Sequence, residues 1–196
     1  MKRFLLSTFV IALCMITSAA SADTIVGSAH DFSSGSAWNT TGEICIVCHT
    51  PHNAPGTDGP LWNRANFTAS GFSMYPATGL DGSMDTNPTG TSVLCLSCHD
   101  GTVALDSFGG ATGGTYVTGD ALVGKDLSDD HPISITYVAT AGLEINPVGT
   151  AVTFGNTDTG DEQELLDNYD KVQCSSCHDV HNTQSAVGEA GLLRVP

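Results

Sequence analysis

Six cysteines and three histidines recur in one arrangement. Cys45-Ile46-Val47-Cys48-His49, Cys95-Leu96-Ser97-Cys98-His99 and Cys174-Ser175-Ser176-Cys177-His178 all read Cys-x-x-Cys-His. Two thiols three apart, with an imidazole directly after the second, suit covalent capture of a c-type haem. The thiols form thioethers to the macrocycle edge, and the histidine meets the iron as its proximal ligand. One short turn must therefore present all three groups to one flat ring. Expected attachment residues are Cys45, Cys48, Cys95, Cys98, Cys174 and Cys177. Expected proximal ligands are His49, His99 and His178.

Other chemistry for Cys-x-x-Cys fits less well. Structural zinc takes four ligands from paired motifs and has no use for a histidine after every second cysteine. Disulfides suit an exported chain. A thioredoxin-like pair needs a βαβ setting that the sequence does not display. Three repeats of the full motif leave only Cys14 outside the pattern. The expected cofactors are three haem c groups.

Each iron then needs a sixth ligand. Four histidines are spare, namely His30, His52, His131 and His181. Met74 and Met84 lie in a glycine-rich loop and read as gap fillers. The histidines are the expected distal ligands, three of the four being needed. Bis-His irons lack the methionine ligand that raises haem potential, so low potentials follow. His52 lies three residues after His49, and His181 three after His178. Side chains so spaced on a helical turn share one face, about 5–6 Å apart. A distal ligand must come from the opposite side of the ring. His52 is thus expected to serve a haem other than that of His49, and His181 one other than that of His178.

The elements that position these groups must be short. The chain carries 22 Gly and 8 Pro. Its apolar residues are scattered among Gly, Ser, Thr, Asn and Asp, so a large side-chain core is not expected. Residues 53–94 read as a long connection with turns at Ala54-Pro55-Gly56, Tyr75-Pro76 and Asn87-Pro88-Thr89-Gly90. Gly109-Gly110 and Gly113-Gly114 punctuate a second loop. Ile133–Val138 has a short β-like pattern. Asp161–Asp170 reads as a short helix, with acids in its first turn. Short helices are also expected to carry the haem motifs. The expected fold is a multihaem cytochrome of mostly irregular loops, few short helices and little sheet, around a haem-based core.

Residues 1–22 carry Lys2 and Arg3, a greasy run from Phe4 to Ile16 and the small-residue exit Ala20-Ser21-Ala22. This is the pattern of a secretory signal peptide. The greasy run is too short for a membrane helix, which needs about 20 residues. Residues 23–196 are expected to form one triheme domain with no membrane span. Without Lys2 and Arg3, four basic residues face 21 acidic ones, a formal charge of −17. Such a field repels nucleic acid and draws basic partners inward.

Ala29-His30-Asp31-Phe32-Ser33, Cys48-His49-Thr50-Pro51-His52-Asn53 and Pro60-Leu61-Trp62-Asn63 resemble small multihaem c-type cytochromes of metal-reducing bacteria. So do Cys98-His99-Asp100-Gly101-Thr102-Val103-Ala104-Leu105, Asp130-His131-Pro132-Ile133-Ser134 and Val172-Gln173-Cys174. The resemblance spans most of residues 26–196. It implies that His30, His52, His131 and His181 match distal ligands, and that His131 serves the haem of His99. Related extracellular cytochromes assemble into conducting filaments, so self-association is implied as well. Similar proteins often continue past a segment like Leu192-Leu193-Arg194 to a fourth motif, which this sequence lacks. On that ground His181 is the expected surplus ligand. Together these readings predict an electron-transfer protein of periplasmic or extracellular anaerobic respiration, not an enzyme. Its partners would be other cytochromes or a basic-surfaced donor. The rival prediction is a small-molecule reductase with one open-site haem.

Overall fold

Glycine, proline and short polar side chains leave little sequence able to sustain long regular elements, and the fold follows. A computed structural model describes residues 25–33, 36–54, 59, 61–64, 69–80, 82–138, 166–181 and 192–193. Most of these residues lie in turns and loops. A single 3-10 turn covers Cys45–Val47, and another covers Gly119–Ala121. Helix α1 runs Gly90–His99 and helix α2 runs Cys174–Cys177. Strands β1 (Ile135–Thr136) and β2 (Lys171–Val172) pair antiparallel, with Ile135 opposite Val172 and Thr136 opposite Lys171. Among the described residues no helix is long and apolar enough to cross a membrane.

Helix α1 starts at Gly90, the last residue of the expected Asn87-Pro88-Thr89-Gly90 turn, so residues 90–94 of the expected connection are helical. Its end is set by Gly101, whose φ of +77° is costly for any residue with a Cβ. There the Gly101 amide donates to the Cys98 carbonyl at 3.0 Å, and Asp100 N donates to Leu96 O at 2.9 Å. These bonds satisfy carbonyls that the helix end leaves over. At the start of α2, Gln173 N donates to Ser176 Oγ at 2.8 Å within a reciprocal capping box.

Phe72, Leu96, Leu127 and Ile133 form the buried apolar cluster, with Met74 and Cys174 packed at its margin. Met74 thus fills a gap, as expected. Ten buried polar side chains outnumber eight buried apolar ones among the described residues, so hydrogen bonds carry much of the interior. Gln173, 1% exposed, is the clearest case. Its Oε1 accepts from Ser92 Oγ at 2.6 Å and Ser134 Oγ at 3.1 Å, and its Nε2 donates to Asp167 Oδ2 at 2.7 Å.

The expected β pattern within Ile133–Val138 is realised at Ile135–Thr136, which Met84 also bridges. The expected helix at Asp161–Asp170 is not seen in its described part. Asp161–Leu165 lie outside the described residues, and Leu166–Asp170 are turn. Asp167 Oδ1 accepts from the amides of Tyr169 (2.9 Å) and Lys171 (3.0 Å). This side chain offers the backbone an alternative to helical bonding.

Candidate functional site

Each motif is wound into one helical turn. In the first, the amides of Cys48 and His49 both donate to Cys45 O, at 3.1 and 2.8 Å. The second occupies the last turns of α1, and His99 is its final residue. In the third, His178 N donates to Cys174 O at 2.9 Å. Such winding brings positions i, i+3 and i+4 onto one face, as capture of one ring requires. The structure joins none of the six thiols in a disulfide.

A returning segment braces every motif histidine through the backbone. His49 bridges Trp62, with Thr50 N on Leu61 O at 2.9 Å and Asn63 N on Cys48 O at 2.8 Å. The His99 carbonyl accepts from Val123 N (2.8 Å) and Gly124 N (3.0 Å). His178 bridges Leu193, and Asp179 N donates to Leu192 O at 2.7 Å. The Trp62 ring also meets His49 edge-on, 6.1 Å between centres.

Six of the seven histidines come together in twos, and each pair holds one motif histidine and one spare. His30 lies 6.0 Å from His99 between ring centres. His181 lies 6.2 Å from His49, with planes 21° apart, and His131 lies 6.2 Å from His178, with planes 28° apart. A metal–imidazole bond is about 2 Å and a ring nitrogen lies about 1 Å from its ring centre, so imidazoles flanking one metal sit roughly 6 Å apart. All three pairs meet that spacing. Among the described residues no three His, Cys, Asp or Glu side chains converge on one point.

These pairings differ in part from the expected ones. His131 stands against His178, not His99, and the partner of His99 is His30. His181, the expected surplus ligand, faces His49. His52 is exposed and has no imidazole neighbour among the described residues. The histidine that His181 lies against, His49, belongs to another motif.

Electrostatics suits ligation. His99 Nδ1 lies 2.7 Å from Ala121 O. A carbonyl can only accept, so Nδ1 carries the proton and Nε2 is left for a metal. Burial, helped by the nearby charges of His99, His178 and His181, pulls the His30 pKa down to about 4. His30 is thus neutral at pH 7, and its buried Nδ1 has no hydrogen-bond partner. Cys95 and Cys174 share a thiol hydrogen bond, which raises the Cys95 pKa and helps pull Cys174 down to about 7. Around that contact Ser92 Oγ accepts from Cys174 N at 3.0 Å, and the Thr91 and Ser175 hydroxyls meet at 2.6 Å. The second and third attachment segments are therefore docked directly on each other.

Two residues that sequence reasoning missed hold this arrangement. Gln173 ties α2 to Ser92 of α1. Arg64, 3% exposed, donates to a carbonyl inside the first motif and to two beyond the second. Its signal in the sequence was scarcity, since it is one of four basic residues after position 22.

No family model matches the chain, and no curated protein matches it.

Proposed function

We propose that this protein is an exported c-type cytochrome that holds three haems and relays electrons. The observation that carries the reading is the set of three histidine pairs at 6.0–6.2 Å, each joining one Cys-x-x-Cys-His histidine to one spare. Cys45 and Cys48 would hold the first haem, with His49 and His181 as its axial ligands. Cys95 and Cys98 would hold the second, between His99 and His30. Cys174 and Cys177 would hold the third, between His178 and His131. His52 stands outside the set. The bound group supplies one-electron exchange between ferric and ferrous iron.

The chain's own part would be to offer two imidazoles to each iron, fix the imidazole tautomer and set the motif segments side by side. With both ligands supplied by the chain, no iron site would be left for a substrate, which favours electron carriage over a reductase. Supporting evidence is also spatial: Leu61, Leu122, Val123 and Val180 are exposed apolar side chains near His49, His99 and His181 in the backbone. Porphyrin faces would cover such surface and would supply the apolar core that four side chains do not. The haem-based core, the export and the place in anaerobic respiration belong to this proposal.

The test is haem content and spin state. Intact mass of protein matured with a haem-attachment system should show three haems that survive denaturation. Electron paramagnetic resonance of the oxidised form should show only low-spin iron. Two haems or fewer, or a stoichiometric high-spin signal, would reject the reading, and the latter would favour the reductase.

A further inference from the structure

Among the described basic residues, Arg64 alone is buried. Lys125 lies 3.8 Å from Asp100, and Lys171 pairs with Asp85. The hydrogen-bond acceptors of Arg64 are instead neutral carbonyls. Nε donates to Val47 O at 3.1 Å, one Nη to Ala104 O at 2.8 Å, and the other to Leu105 O at 2.8 Å. Val47 lies between Cys45 and Cys48. Ala104 and Leu105 follow the second motif closely, and Val103 N donates back to Ser97 O at 3.2 Å inside it. The guanidinium therefore spans two attachment segments.

A buried guanidinium without a carboxylate partner is expensive. A structural staple between carbonyls could be made from neutral donors, so the charge calls for its own explanation. Reduction of a ferric haem removes one unit of positive charge. A fixed cation nearby, in surroundings that screen poorly, disfavours the ferric state.

We infer that Arg64 is a shared tuning residue, whose buried charge raises the reduction potentials of the first and second haems but not the third. This rests on the proposed haem content. It would set a potential step between the first two sites and the last.

Arg64→Met, Arg64→Gln and Arg64→Lys, made in the full chain and matured with haem, test the inference by spectroelectrochemical titration. In both neutral variants, three haems should remain, two of the three transitions should shift to lower potential, and the third should stay. Arg64→Lys keeps the charge but loses the planar fork, and its potentials should stay near wild type. An unchanged titration in a three-haem neutral variant would overturn the inference. So would an equal shift of all three transitions, or a fall in Arg64→Lys matching that in Arg64→Met. Failure of both neutral variants to fold would also overturn it, because the residue would then be a structural requirement. Wild-type protein that carries no haem would instead defeat the functional reading and is recognised by mass before any titration.

Discussion

A single imidazole is the smallest unit on which the site depends. With the pairs His30–His99, His49–His181 and His131–His178, removing one spare histidine should open one iron position. His30→Ala, His131→Ala and His181→Ala are each expected to convert one low-spin iron to high-spin, read by electron paramagnetic resonance. His52→Ala is expected to be silent. A spin change in His52→Ala with none in His181→Ala would reverse the assignment of the surplus ligand. The motifs themselves were legible because they are contiguous: two thiols and an imidazole leave one turn. The pairings were not legible. His131 and His178 meet only because the intervening chain returns through β1 and β2, and no local spacing encodes that return. The same applies to Arg64, whose carbonyl partners Ala104 and Leu105 lie about 40 residues away.

At the level of elements, stability rests on polar bonds between α1 and α2. Gln173→Leu preserves the bulk but removes the acceptor for the Ser92 and Ser134 hydroxyls. A buried polar group left without its partner costs about 1–3 kcal/mol. We therefore expect a loss of about 2 kcal/mol or more in denaturant unfolding, with the haems retained. Leu96→Ala, inside the four-residue apolar cluster, should cost about 2–5 kcal/mol. Turn signals served these boundaries only in part: the expected Asn87-Pro88-Thr89-Gly90 turn runs into α1, but residues 90–94 of the expected connection are helical, and Gly101, which ends α1, carried no turn reading. They failed at Leu166–Asp170, the described part of the expected helix. Pattern alone does not weigh the Asp167 carboxylate, which binds the Tyr169 and Lys171 amides and holds a turn.

For the whole molecule, charge sets both partners and acid tolerance. The formal charge of −17 for residues 23–196 should speed encounter with a basic redox partner. That advantage should fall as salt shortens the Debye length from about 30 Å at 0.01 M to about 8 Å at 0.15 M. Stopped-flow mixing across that range checks it, and a flat salt response would exclude steering. Acid response has a definite sign. Burial pushes the Asp85 carboxyl up, but hydrogen bonds from Lys171 and Thr89 and the Lys171 charge bring it below its ordinary 3.8. Asp106, bonded by the Thr115 and Gly114 amides, is likewise lowered despite burial. A carboxylate with a depressed folded pKa contributes stability that is whole above its unfolded value and is lost as pH falls through the folded one. The stability contributed by these two carboxylates is therefore expected to be lost only below pH 3.8, whereas the buried neutral His30 withdraws stability earlier, as pH falls from 6.5 towards 4. Asp85→Asn should move the midpoint of acid unfolding upward, as followed by circular dichroism.

The backbone return to each motif histidine also bears on how the chain can change in length. His49 is met by Trp62, His99 by Val123 and Gly124, and His178 by Leu193. Each motif turn is thus the base of a closed loop whose ends are pinned independently of its contour. Closing a flexible loop costs only about 0.6 kcal/mol more for each doubling of its length. Residues inserted at the exposed Gly109-Gly110 turn, where φ is +62° and +82°, should leave the three histidine pairs in register. The same architecture can accept an affinity tag or a longer recognition loop there, and surface insertions can accumulate between the motifs while their relative placement persists.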